Sequence, residues 1–175
     1  MRLATTSHDA PHRSASTLDR PIARWRNLAA LSLALVVSIA QAEDRRHPLE
    51  ILALSQPKAA LQQIEAARRA LNPNDHIEAA KLALAEANAC RVIADWRCQR
   101  RAGVAAIAAA DRTSNTYLQV RGRIMLGRAL SRLGDYNNAA RTLAEGDRRL
   151  GDDGDALLKA DIKLAYSSVS ERLGK

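Results

Sequence analysis

The sequence predicts an all-α fold of antiparallel helical hairpins stacked side by side, on three observations. Alanine and leucine are abundant while Phe is absent, so few residues favour strands and the small side chains let helices approach closely. Apolar or small residues recur at three- and four-residue steps. One stretch has Leu118, Gly122, Leu126, Ala129, Leu130 and Leu133; the next has Tyr136, Ala139, Ala140, Leu143 and Leu150. That spacing lines one face of a helix. Short breaks rich in Gly, Asn, Asp and Pro separate the stretches, and short loops make helices antiparallel neighbours.

Seven helices are expected in order. Pro48 to about Ser55 forms the first, and Ser55 with Pro57 marks the start of a second that runs to about Leu71. Asn72-Pro73-Asn74 ends it. Asp75 and Glu78 make a D-x-x-E opening for the third, which continues to about Ala94. An Ala-rich fourth covers roughly Gln99 to Ala110, and the polar run from Asp111 to Asn115 separates it from a fifth. Thr116 and Gln119 are spaced as a capping box for that helix, which extends to Leu133. Gly134 closes it, and Asp135 caps the sixth, Tyr136 to about Leu150. Gly151-Asp152-Asp153-Gly154 then leads to Asp155 and a seventh helix reaching Leu173.

Ahead of these helices, residues 1–42 read as an export signal. A stretch containing Arg20, Arg24 and Arg26 runs into an apolar segment from Leu28 to Ala40, and Ala40-Gln41-Ala42 supplies a small-x-small cleavage pattern. The apolar segment would span roughly 20 Å as a helix, short of the bilayer core of about 30 Å. The expectation is cleavage after Ala42 and a periplasmic or secreted product without a transmembrane span. An uncleaved leader acting as a short anchor is the alternative. Residues 43–175 then form one repeat domain, long enough to bury a real core.

The full chain carries a formal net charge of +8, and without the five Arg and two Asp of the leader about +5 remains. That surplus fits an acidic partner, an anionic surface or simple solubility. Cys90 and Cys98 are the two cysteines. On one unbroken helix they would stand about 12 Å apart, beyond the roughly 7 Å limit for a bridge. A disulfide therefore needs a turn between them, for which Asp95-Trp96 is the candidate. Otherwise Cys90 is a small core residue and Cys98 a free thiol.

The segment from Val120 to Gly151 resembles one tetratricopeptide repeat, a 34-residue helix-turn-helix unit. Leu126-Gly127 matches the family's Leu-Gly pair, Leu130 the large residue three places on, and Gly134-Asp135-Tyr136 the turn. Ala139, Leu143 and Gly146 fall at its small, large and small sites, while Arg123 stands where an aromatic is usual and Gly151 where a proline is usual. Ala60, Ile64, Ala67 and Pro73 look like the second half of an earlier unit. Gly103, Ile107 and Ala110 fit a middle unit from Asp75 to Asp111, with a step of about 36 to 40 residues. Arg132-Leu133-Gly134 recurs as Arg172-Leu173-Gly174 before Lys175. The last helix is therefore either a solvating cap or the start of a further unit in a larger protein. The leader, the stretch from Ser55 to Leu61 and that from Leu133 to Leu150 are also similar to the periplasmic sensory region of bacterial GGDEF diguanylate cyclases. The GGDEF catalytic domain itself is absent from this sequence.

The resemblance implies a short α-solenoid whose concave surface is lined by the first helix of each unit. It places Arg121 and Arg128 there, with Arg132 close by, where they would grip the carboxylates of an acidic peptide or of its C-terminus. The same spacing also describes a solvated helix face. Asn115 and Tyr117 would extend such a groove. No nucleotide loop, Gly-x-Ser-x-Gly elbow or His-Glu-x-x-His motif occurs, so neither catalysis nor a cofactor is expected. His47 and His76 sit beside helix starts, where polar surface roles are expected. The loop from Gly151 to Asp155 has the composition of a calcium loop without its ligand spacing, and helix capping is expected there instead. The modest charge and the lack of aromatics among the basic residues argue against nucleic acid. The resulting expectation is a non-catalytic scaffold that binds a protein or peptide. The alternative is the input fragment of a larger envelope signalling protein.

Overall fold

The computed structural model describes residues 46–152 and 154–174, so the expected leader lies outside the described residues. Those residues fold as seven α-helices with no strand among them: α1 Pro48–Ser55, α2 Pro57–Ala70, α3 His76–Val92, α4 Trp96–Ala110, α5 Thr116–Arg132, α6 Tyr136–Leu150 and α7 Ala156–Arg172. Each helix packs on the next in sequence. The odd-numbered helices α1, α3, α5 and α7 also touch one another in succession, whereas no two even-numbered helices are in contact. The odd layer is thus continuous, and the even helices lie spaced along it.

The two central hairpins repeat one another element by element. α3, α5 and α7 each have 17 residues, and α4 and α6 each have 15. Asp75, Asn115 and Asp155 cap α3, α5 and α7 at intervals of 40 residues, and Asp95 and Asp135 cap α4 and α6 at the same interval. Each of the five side chains accepts a hydrogen bond from a backbone N–H of the first turn. The odd helices α3 and α5 also end alike. Ala94 and Gly134 adopt positive φ (58° and 82°), Asp95 N–H reaches Cys90 O, and Asp135 N–H reaches Leu130 O, both at 2.9 Å. This is the two-bond closure that satisfies the orphan carbonyls of a helix end.

Three boundaries differ from the sequence expectation. α4 begins at Trp96 instead of Gln99 because Asp95 accepts from the Cys98 N–H at 2.9 Å and so starts the helix early. Asn115, not Thr116, caps α5 by accepting from Leu118 N–H at 3.1 Å. The Gln119 side chain turns away from any capping box to donate to Thr113 O at 2.7 Å. The second helix has Gln56 before its first residue, without a side-chain cap.

Tight crossings hold α5 on two sides. A Cβ placed on Gly103 of α4 would come within 3.0 Å of the Leu126 backbone, and one on Gly122 of α5 would meet Ile107 at 3.1 Å. On the other side, Gly127 lies under Leu143 of α6, whose side chain would be 2.7 Å from an added Cβ. The core beside the first crossing is mostly alanine: Ala80, Ala83, Ala87, Ala102, Ala106 and Ala110 with Leu84, Leu118 and Met125. Beside the second it is larger, with Leu130, Leu143 and Val169 around Ala139 and Ala165. Leu126 is partly buried, and Leu130, Ala139 and Leu143 are buried.

At the far end, Leu164 of α7 is 67% exposed, although Leu84 and Ile124, eighty and forty residues earlier, are 1% exposed. The face that α3 and α5 cover with a following helix is therefore open on α7.

Gly127→Ala is expected to cost about 1–3 kcal/mol by overpacking against Leu143, and Leu143→Ala about 2–5 kcal/mol by leaving a cavity. The double variant should lose clearly less than the two costs combined, because the alanine methyl fills space the leucine vacates. Chemical denaturation of the four proteins reads this coupling; additive losses would show that the crossing relaxes elsewhere.

Candidate functional site

Four odd-layer arginines serve two different purposes. Arg121 and Arg123, on the first half of α5, are buried. Arg121 reaches 71 residues back to Glu50 of α1, with Nη1 donating to Oε2 at 2.9 Å and Nη2 donating to Oε1. Asn88 of α3 donates to the same Glu50 Oε1 at 3.0 Å, and the Arg121 guanidinium lies 5.5 Å from the Tyr117 ring centre. Burial by itself disfavours the charged guanidinium, but the hydrogen bond and charge of Glu50 outweigh it and hold its pKa above the ordinary value. Arg121 is therefore a strut between α1 and α5, and the expectation that it faces a peptide is corrected: its donors are already committed inside the protein. Asn115 is likewise committed, as the α5 cap.

Arg123 fills the place where an aromatic was expected. Its two terminal nitrogens meet both carboxylate oxygens of Asp111 at 2.9 and 2.8 Å, and it also donates to Gln119 O at 3.0 Å. Its stem covers Gly146 of α6, whose added Cβ would sit 3.4 Å from Arg123 Cβ. The hydrogen bond from Arg123 outweighs burial and, with the nearby charge of Arg149, holds the Asp111 carboxyl below its usual pKa.

Arg128 and Arg132, on the second half of α5, open into a cleft of about 640 Å³. Trp96 of α4, Tyr136 of α6 and Arg172 of α7 also line it, with Arg91 of α3 at one edge and Glu171 beside Arg172. The 40-residue register explains this convergence. Trp96 and Tyr136 are the first residues after the equivalent caps Asp95 and Asp135, and Arg132 and Arg172 are the last residues of α5 and α7. The Arg132 guanidinium lies over the Trp96 ring, 5.5 Å from its centre, a cation–π arrangement. Arg128 pairs with Asp161 of α7 at 3.2 Å and stays partly exposed. Gln99 is fully buried in the cleft lining, donating to Met125 O at 3.1 Å, and its Oε1 has no partner.

Part of this positive charge offsets the helix ends, because Arg91, Arg132 and Arg172 sit in the last turns of α3, α5 and α7, where the peptide dipoles leave negative potential. Four guanidinium groups nevertheless face the cleft against the carboxylates of Asp161 and Glu171. Planar, fixed guanidinium groups beside aromatic rings suit carboxylates and flat apolar side chains.

Cys90 and Cys98 are joined, with Cα atoms 5.7 Å apart. The turn that brings them together is Ile93-Ala94-Asp95, beginning two residues earlier than the sequence suggested, and Trp96 already belongs to α4. Glu86 lies close to both sulfurs, but it pairs with Arg68 and the sulfurs are bonded to each other. In the Gly151–Asp155 loop, Asp155 caps α7 through Leu157 and Leu158 N–H, and the Lys159 ammonium takes the Gly151 and Asp152 carbonyls at 3.3 and 2.9 Å. His47 caps α1 through Nδ1 and meets Glu78 through Nε2 at 2.9 Å.

Glu50→Gln is expected to destabilise the fold by about 3–5 kcal/mol, since it strands a buried guanidinium without its counter-charge. Replacing both partners, Glu50→Leu with Arg121→Met, should recover most of that loss. Urea midpoints of the three proteins decide the matter, and a Glu50→Gln variant as stable as the parent would show the pair to be incidental. No family model, curated protein or solved structure matches the chain.

Proposed function

We propose that the chain is an exported, non-catalytic scaffold of tetratricopeptide type that binds an acidic segment of a protein partner in the cleft beside Arg128, Arg132 and Arg172. The carrying observation is the convergence of these guanidinium groups, from the odd layer, with Trp96 of α4 and Tyr136 of α6 in one cleft. A layer whose helices all touch, under a second layer whose helices do not, is what a curved array places on its inner side. The cleft would then open on the concave face. A segment bearing Asp or Glu would pair with the guanidinium groups, and its apolar side chains would lie against the two rings.

A second reading, as the input module of a larger envelope signalling protein, is favoured by the open face of α7 at Leu157 and Leu164, which suits a further packed element.

The test uses a fluorescein-labelled, Glu-rich peptide followed by anisotropy. Arg132→Gln with Arg172→Gln leaves the three ion pairs of α5 and the helix caps in place. It is expected to weaken binding about tenfold or more, the scale of one or two lost charge-assisted contacts, with the circular dichroism unchanged. Unaltered affinity would contradict the reading, as would tighter binding to random duplex DNA with a steep salt dependence.

A further inference from the structure

The first two turns of α4 carry a cluster of positive charge, one member of which works against the helix. Arg97, Arg100 and Arg101 are exposed there, and the first turn holds no acidic residue. Aligned peptide dipoles place positive potential at this end, so Arg97, in the first turn, is disfavoured where it stands, and Arg100 and Arg101, one turn on, gain nothing from it. None of them has an acidic partner among the described residues. Asp95 accepts from the Cys98 N–H and is occupied as the cap. The repeat does not require Arg97 or Arg100 either, and only Arg101 has an arginine at the equivalent place. Forty residues on, α6 has Asn137, Ala140 and Arg141 at the same positions, and it packs on α5 in the same register.

These arginines border a second cleft, of about 700 Å³, which shares no lining residue with the first. Its walls and floor include Val104 of α4, Leu130 of α5 and Leu133 at the C-cap of α5; Val104 is 51% exposed and Leu133 40%. Asp135 is at its edge, but that carboxylate accepts from the Asn138 backbone N–H at 3.3 Å and side-chain amide at 2.7 Å. The combination is therefore an apolar floor beside three uncompensated guanidinium groups. Charge complementarity calls for carboxylates. The floor calls for a branched or aromatic side chain that enters a recess, which a flat lipid headgroup plane does not supply.

We propose that this second cleft captures an acidic polypeptide segment, seating one large apolar side chain on Val104, Leu130 and Leu133 while flanking carboxylates pair with Arg97, Arg100 and Arg101. The site is independent of the first cleft. It gives a role to three cations without an acidic partner, one of them at a helix end that disfavours it: their benefit is gained on binding.

The test measures binding of the fluorescein-labelled peptide Asp-Glu-Leu-Trp-Glu-Asp to the full chain, and the thermal midpoint of each protein alone. Arg97→Glu with Arg100→Glu and Arg101→Glu is expected to weaken binding about thirtyfold or more and to raise the midpoint by a few degrees, since acids suit this helix end. Replacing Leu-Trp in the peptide by Gly-Gly should cost about tenfold on the parent protein and little on the triple variant. Parent-like affinity in the triple variant would overturn the proposal. So would a lowered midpoint, which would make the arginines a stabilising feature of the fold. Loss of binding in Arg132→Gln with Arg172→Gln but not in the triple variant would assign the peptide to the first cleft alone. Tighter binding to phosphatidylglycerol vesicles than to the peptide, abolished in the triple variant, would assign the surface to lipid instead.

Discussion

The close approach of α5 to both α4 and α6 is the constraint on which the rest of the described structure depends. Gly103 and Gly122 bring two backbones together on one side, and Gly127 lets Leu143 settle on the other. Because α5 is covered by α3, α4, α6 and α7, nearly every side of it is buried, including Val120, Ile124 and Met125, which lie off the apolar stripe read from its periodicity. A helix held this way has no freedom to rotate. Its polar residues therefore project in fixed directions, and this decides which of its arginines meet solvent.

The division among those arginines follows from position along α5. Arg121 and Arg123 project from the first half into the protein and are satisfied there, one by a carboxylate from α1 and the other by the connector that follows α4. Their ion pairs give little net stability over apolar residues of the same shape, but they commit the packing of distant segments to one arrangement. Arg128 and Arg132 project from the second half, where the ends of three odd helices and the starts of two even helices come together. The turns between the odd helices and their partners thus make a basic, aromatic-bearing edge to the array. Neighbouring residues divide between the two clefts: Trp96 and Arg132 line the first, Arg97 and Leu133 the second.

Much of the fold was legible in the residues because each helix announces its own ends. Asp75, Asp135 and Asp155 stand before apolar periodic stretches, and Gly134 follows one. The repeat length was only partly legible. Ala94 stands in for the turn glycine and Gln99 for the small residue that Ala139 supplies, so the first hairpin hides the 40-residue register that the second makes plain. The cleft was half legible for a related reason. Arg128 and Arg132 are visible as a helical pair, and Trp96 and Tyr136 follow Asp at matching positions, a signal that the register would have exposed. The burial of Arg121 was not legible, because Glu50 lies 71 residues away and no local spacing links them.

Native-state hydrogen exchange tests the central claim, that α5 is clamped by its glycine crossings, most directly. The account predicts that amides from Gly122 to Ala129 exchange only through global unfolding and are the slowest in the chain, with protection falling toward α1 and α7. Exchange of these amides as fast as those of α7, or through an opening in which α5 separates while α4 and α6 stay closed, would contradict it.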